Sequence, residues 1–294
     1  MKNILAFLGL SFLVACASPK SMFTIEKSIN HAPATVKFTN TSTKATQYLW
    51  DFGDGKTSED ENPIHKYILS GKYQVTLKAI KDKKSSMSNQ EIILDPPHHC
   101  LVELQTSLGV MTIQLYDETP LHRDNFLKLA EEGFYEGTLF HRVIKGFMVQ
   151  AGDPDSKDAP AGKRLGVGGP GYTVPAEFVD SLVHIKGALS AARQGDQSNP
   201  KKASSGSQFY IVQGKPVPAN QLESMEMQKG IKYSPSALEA YSTIGGTPFL
   251  DKDYTVFGRV VKGLDIIDAI AASQTDAADR PTSDVKIISL KVIK

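Results

Sequence analysis

The stretch Phe140-His141-Arg142-Val143-Ile144-Lys145-Gly146-Phe147-Met148-Val149-Gln150-Ala151-Gly152-Asp153 brings a guanidinium, a carboxamide and two large apolar side chains close together. Residues two apart on a strand share a face. That spacing predicts Phe140 beside Arg142, and Met148 beside Gln150 across a Lys145-Gly146 turn. A permanently charged, planar donor next to apolar surface suits a greasy substrate that carries one amide to be polarised. A prolyl peptide bond has that character. Rotation about a peptide C–N bond meets a barrier of roughly 18–20 kcal/mol, because nitrogen shares its lone pair with the carbonyl. At X-Pro the isomers lie within about 0.5–1 kcal/mol of each other, yet exchange takes tens of seconds or more. A donor aimed at the nitrogen binds the twisted amide, whose lone pair is free, and barely binds the planar one.

Strands and a few helices must hold those groups. Leu101-Val102-Glu103-Leu104 and Met111-Thr112-Ile113-Gln114-Leu115 flank Ser107-Leu108-Gly109, a hairpin signal. Thr119 as cap and Pro120 at the first position start a helix with a buried stripe of Phe126, Leu129 and Ala130, ended by Gly133. A second helix is expected from about Leu264 to Ala272, and Val285-Lys286-Ile287-Ile288-Ser289-Leu290 closes the sheet. Residues 217–246 read as a helical insertion, with Ser234 as a cap and Pro235 at the first helical position. It either fringes a binding groove or decorates the surface.

The stretch around Arg142 closely resembles the signature of cyclophilin-type peptidyl-prolyl isomerases. Further blocks follow in the family's order: Gly187-Ala188-Leu189-Ser190-Ala191-Ala192, Ser205-Gly206-Ser207-Gln208-Phe209-Tyr210-Ile211, Phe249-Leu250-Asp251 and Tyr254-Thr255-Val256-Phe257-Gly258. The resemblance covers about residues 100–294 and implies a closed eight-stranded barrel with two helices. It implies Arg142 as the catalytic donor and Gln150 as the group that holds Arg142 and meets substrate backbone. Phe147, Met148, Tyr210 and Leu250 would form the proline pocket, with His141 supporting the strand and Gln208 and Ala192 lining the groove. Phe249 stands where many members have tryptophan and Tyr254 where they have histidine, so an indole donor is lost while an aromatic wall remains. Tyr210 in place of phenylalanine puts a hydroxyl at the pocket floor, and Arg193 replaces a common asparagine. The changes at Phe249 and Tyr254 keep alive the alternative of a non-catalytic prolyl-peptide-binding chaperone.

Residues 22–95 alternate in short runs between turn clusters, which argues an antiparallel sandwich. Trp50-Asp51-Phe52-Gly53-Asp54-Gly55, followed by Pro63, His65, Tyr67, Gly71, Tyr73 and Val75, resembles a PKD-type immunoglobulin-like domain, with Trp50 as core. A protein led by this domain, in envelope adhesion or glycan binding, is the remaining alternative. The whole is therefore expected to be mainly β: a sandwich, a stiff Pro-Pro linker at 96–99 and a cyclophilin barrel from residue 100.

Residues 1–15 read as an address: Lys2, an apolar run from Ile4 to Val14 too short to span a bilayer, then Leu13-Val14-Ala15-Cys16. That ending resembles the bacterial lipoprotein cleavage box. It implies cleavage before Cys16, acylation of Cys16 and a lipidated tether over 16–21, with Ala17 and Ser18 favouring an outer membrane, facing the periplasm. Several buried acyl chains anchor stably, at roughly 0.8 kcal/mol per CH₂. The other cysteine, Cys100, is expected as a small buried strand residue without a disulfide partner. The formal charge of +1 gives no bulk attraction to nucleic acid. No metal or other cofactor is expected: His98-His99-Cys100 cannot easily wrap one ion, and Gly166-Val167-Gly168-Gly169-Pro170-Gly171 lacks the βαβ unit of a dinucleotide site. The expected partners are proline-containing polypeptides and the membrane, for a monomer.

Overall fold

The structure is a computed structural model that describes residues 18–27, 29–32, 34–67, 70–95 and 100–293. The Cys16 cleavage box and the 96–99 linker lie outside the described residues. The chain folds as two units, each with its own core.

The first unit carries β1 (Phe23–Lys27), β2 (Ala34–Asn40), β3 (Gln47–Asp51), β4 (Thr57–Ser58), β5 (Ile64–Tyr67), β6 (Gly71–Lys81) and β7 (Lys84–Leu94). They form a three-stranded sheet, β1-β2-β5, and a four-stranded one, β4-β3-β6-β7. Alternation drives the folding: Ala34, Val36 and Phe38 on β2 and Val75, Leu77 and Ala79 on β6 are all fully buried. Trp50 is 0% exposed, sits edge-on to Phe23 at 5.0 Å, and donates its indole N–H to the Asp60 carbonyl at 2.9 Å. Two residues of the expected tether belong to this unit instead. Lys20 bridges to Thr43, and buried Ser21 donates its hydroxyl to the Leu77 carbonyl at 2.8 Å.

The second unit begins with β8 (Leu101–Thr106) and β9 (Gly109–Leu115), then α1 (Pro120–Glu131), β10 (Arg142–Ile144), β11 (Met148–Ala151), β12 (Thr173–Val174), β13 (Ala188–Ala191), β14 (Ser204–Ser205) and β15 (Phe209–Val212). After these come α2 (Ala219–Lys229), α3 (Pro235–Thr243), β16 (Val256–Lys262), α4 (Leu264–Ala271) and β17 (Ile287–Ile293). Eight strands make one antiparallel sheet in the order β10-β11-β15-β13-β16-β9-β8-β17. Its two edges meet through a Leu139–Lys286 bridge and the bond from the Phe140 N–H to the Val285 carbonyl. The barrel interior takes Val102, Leu104, Ile113, Val149, Leu189, Phe209 and Ile211, with Phe126 of α1 and Ile267 and Ile270 of α4 packed onto it. Cys100 is buried one residue ahead of β8 rather than within it. Burial pushes its thiol up to about 11, with the nearby Arg123 charge opposing, so the group stays protonated.

Helix α1 starts where expected but is capped by a distant residue. The Thr119 hydroxyl makes no cap bond. Instead the Glu177 carboxylate accepts the N–H groups of Leu121 and His122 at 3.1 and 3.0 Å, and the His122 ring at 2.6 Å. Burial works to raise the Glu177 pKa, but the bonds from the His122 side chain and the two backbone N–H groups outweigh it and hold the carboxyl below its ordinary value.

Candidate active site

Strand pairing places Arg142 opposite Gln150, Gln150 opposite Tyr210, and Tyr210 opposite Ser190. These four residues form a single transverse row over β10, β11, β15 and β13. Their in-strand neighbours Val143, Val149, Ala151, Phe209, Ile211, Leu189 and Ala191 all enter the barrel core. By the two-residue period the row therefore faces outward. There Met148, Tyr210, Val212, Ala192 and Leu250 build a second apolar cluster, with Ile144, Phe147 and Tyr254 packed against it.

A cavity of about 620 Å³ opens on this cluster. Its lining includes His141, Arg142, Phe147, Met148, Gln150, Ala192, Tyr210, Leu250 and Tyr254. Nine of the residues singled out in the sequence thus converge on one hollow, though they come from five separated blocks. The turn between β10 and β11 is set by Gly146, at φ 80°, whose N–H donates to the Gln213 side chain at 2.6 Å. Arg142 is half exposed at the rim. Among the described residues its guanidinium meets one carboxylate, Asp279, at 3.6 Å, which leaves donors free for a ligand.

Several expectations need correction. Phe140 does not share a face with Arg142: it lies in the barrel core, because the strand begins at Arg142 and the alternation does not extend back through His141. Gln150 does not hold Arg142. Its amide donates to Gln208 at 3.1 Å, and Gln208 donates to the Gly168 carbonyl at 2.8 Å. Gln208 accordingly lines an adjoining hollow of about 970 Å³, which shares Gln150, Gly166, Ala192 and Arg193 with the first. Phe249 is outside the lining, 52% exposed, with its ring 5.6 Å from that of Phe147. The Tyr210 hydroxyl is taken up by buried His184 at 3.0 Å, leaving the ring as the floor. His141 lines the hollow, and among the described residues neither of its buried ring nitrogens has a hydrogen-bond partner; burial lowers its pKa, with Asp153 opposing.

Sequence reasoning gave no role to Arg193, whose guanidinium lies 4.5 Å from the centroid of the Tyr254 ring, and missed the loop residues Lys163, Arg164 and Leu165, which also line the cavity. The family blocks carry no signal for either. Elsewhere, Ser204, His122 and Glu177 stand at hydrolytic-triad spacing, 2.8 and 2.6 Å. Ser204 is 2% exposed and lines neither hollow, so the group serves as the cap of α1.

The geometry defines a class first: an eight-stranded barrel with an external pocket that carries an apolar cluster and the Arg142 guanidinium at its rim, suited to binding and polarising an imide-like amide. Similarity to known proteins identifies the family. Residues 101–292 match the cyclophilin type peptidyl-prolyl cis-trans isomerase/CLD family, and residues 17–94 match the PKD domain. A putative peptidyl-prolyl cis-trans isomerase of Staphylococcus epidermidis is 39% identical over 195 residues, covering 65% of this chain and 90% of that protein. A putative bifunctional phosphatase/peptidyl-prolyl cis-trans isomerase of Streptococcus pyogenes is 40% identical over 197 residues; the chain spans 38% of its length. A solved cyclophilin-type isomerase of Cryptosporidium parvum aligns over 66% of this chain and 98% of its own, at 23% identity and a TM-score of 0.48. The chain belongs to the cyclophilin-type peptidyl-prolyl cis-trans isomerase family, with a PKD domain ahead of the isomerase domain.

Proposed function

We propose that this protein is a lipid-anchored prolyl isomerase of the bacterial envelope that assists the folding of exported proteins. One observation carries the catalytic part: a guanidinium with free donors at the rim of a pocket in which Phe147, Met148, Tyr210 and Leu250 offer apolar and aromatic surface to a prolyl ring. A prolyl ring seated among Phe147, Met148, Tyr210 and Leu250 brings its imide nitrogen to the rim. Arg142 then donates to that nitrogen as the bond twists and its lone pair localises. The planar ground state offers no such acceptor, so the interaction is made chiefly in the transition state. Gln150, braced by Gln208, orients the backbone of the incoming segment. No bond is made or broken, and no cofactor is required.

The Cys16 cleavage box supports the envelope assignment, through acylation of that cysteine and release to the periplasmic face of the outer membrane. Domain boundaries follow the same reading: signal to 15, sandwich to 95, linker 96–99, isomerase to 294. The test is a refolding experiment on a protein whose slow phase is limited by prolyl isomerisation, together with fractionation of cells. The purified protein should accelerate the slow phase at substoichiometric amounts, and Cys16→Ser should move the protein from membrane to soluble fractions. An unchanged slow phase, or membrane retention without Cys16, refutes the corresponding half.

A further inference from the structure

The excursion at 217–246 has a small core of its own: Val217, Leu222, Ile231, Tyr233 and Tyr241. A surface decoration would need nothing more. Yet two of its tyrosines turn their hydroxyls onto the chain neighbour of a pocket-wall residue. Tyr233 and Tyr241 donate to Oδ2 of Asp251 at 2.8 and 2.7 Å. Asp251 is 2% exposed and directly follows Leu250. Its Oδ1 accepts the ring Nδ1–H and the backbone N–H of His184, at 2.7 and 2.9 Å. The tautomer follows from these partners: with the proton on Nδ1, Nε2 is left to accept the Tyr210 hydroxyl at 3.0 Å. His184 and Tyr241 are fully buried and Tyr210 is 4% exposed. Every hydroxyl, ring nitrogen and carboxylate oxygen in the series has a partner, and a fully satisfied buried network favours one arrangement of its members.

A second tie runs parallel. Lys229 of α2 pairs with the Asp253 carboxylate, the Asp253 carbonyl accepts Arg193 Nε at 2.6 Å, and Arg193 covers the Tyr254 ring. Segment 250–254, which gives the pocket Leu250 and Tyr254, is thus gripped near both ends.

We propose that the two-helix excursion is a positioning element for the proline pocket. Tyr233 and Tyr241, through Asp251 and His184, fix the Tyr210 floor and the Leu250 wall, and so set the affinity for the segment that enters. The inference rests on the isomerase reading. Tyr233 and Tyr241 line no part of the cavity, so their effect is indirect. Floor and wall meet the planar and the twisted imide alike. Loosening them removes uniform binding, which raises KM and spares kcat. Simple loss of folded protein does the opposite, lowering apparent kcat at constant KM.

The experiment is steady-state isomerisation by the full chain, wild type against Tyr233→Phe and Tyr233→Phe/Tyr241→Phe, each alone and combined with Tyr210→Phe. The phenylalanines keep the rings and delete only the hydroxyls. The expected result for the double variant is a KM raised about five- to tenfold, the scale of one hydrogen bond in a buried network, with kcat within about twofold. The single variant shifts KM in the same direction by less, and serves if the double variant does not fold. On the Tyr210→Phe background the increment shrinks at least about threefold, because the hydroxyl that reads the network has gone. An unchanged KM, or increments that simply add, overturns the positioning role while the isomerase reading stands. Wild-type turnover no greater than that of Arg142→Ala overturns the isomerase reading, and this inference with it.

Discussion

Arg142→Ala is the perturbation with the clearest arithmetic. The lost interaction is one hydrogen bond from a cationic donor to a localising lone pair, and hydrogen bonds to or from charged groups are worth about 1.5–3 kcal/mol. At about 1.4 kcal/mol per tenfold, that is roughly a 10- to 150-fold loss of rate. Two features of the site argue for the middle of the range. The Arg142 side chain is 44% exposed, so water weakens its bonds, and Asp279 at 3.6 Å draws part of its charge. The expectation is therefore a fall in kcat of about 30-fold. KM should stay within about twofold, because the planar amide offers the guanidinium little to hold. Arg142→Lys keeps the charge but not the planar fork, and should recover only part of the loss. Stopped-flow isomerisation of a proline tetrapeptide, with initial rates over a range of substrate, separates the two parameters. A kcat unchanged within about twofold, or a loss confined to KM, refutes the transition-state role.

Other outcomes follow from the fold. Glu177, whose folded pKa is depressed, contributes stability that is fully present above its unfolded value of about 4.3 and is lost as pH falls through the folded value. Thermal melts across pH 3–6 (roughly that window) should show the barrel losing stability on the acid side, and Glu177→Gln should flatten that dependence. Gly152, at φ 90°, would place a Cβ 2.3 Å from the Ser207 carbonyl oxygen, a backbone atom, so Gly152→Ala should destabilise the barrel strongly in a denaturant titration. Trp50→Ala should cost the sandwich about 3–5 kcal/mol, seen as early loss of its own unfolding transition.

Much of the site was legible because it obeys a local rule. Met148 and Gln150 lie two apart on one strand, and Val149 between them enters the core, as alternation requires. The hairpin at 107–109 and the Ser234 cap, whose hydroxyl accepts the Ala237 N–H, are also set by neighbours in sequence. The misreadings are non-local or sit where regularity stops. Phe140 turned inward because the strand starts two residues later. Thr119 lost its capping role to Glu177, more than fifty residues away. Asp251 and His184 are 67 residues apart, and nothing in either neighbourhood announces that they share protons with Tyr210 and the excursion. Arg193 stood out in the sequence only as a replacement for a common asparagine, yet its guanidinium roofs Tyr254. Pairing in a closed sheet brings such residues together, and a single sequence does not encode those distances in any period.

The central claim is that a cation at the edge of an apolar pocket accelerates rotation about a prolyl bond without shifting its equilibrium. Two-dimensional exchange NMR of a labelled proline peptide, with the protein at a few per cent of the peptide concentration, measures that rotation directly. The account predicts cis–trans exchange peaks within about a second or less, against tens of seconds unaided, at an unchanged cis:trans ratio. Exchange no faster than in free peptide, while the peptide still binds, would contradict it.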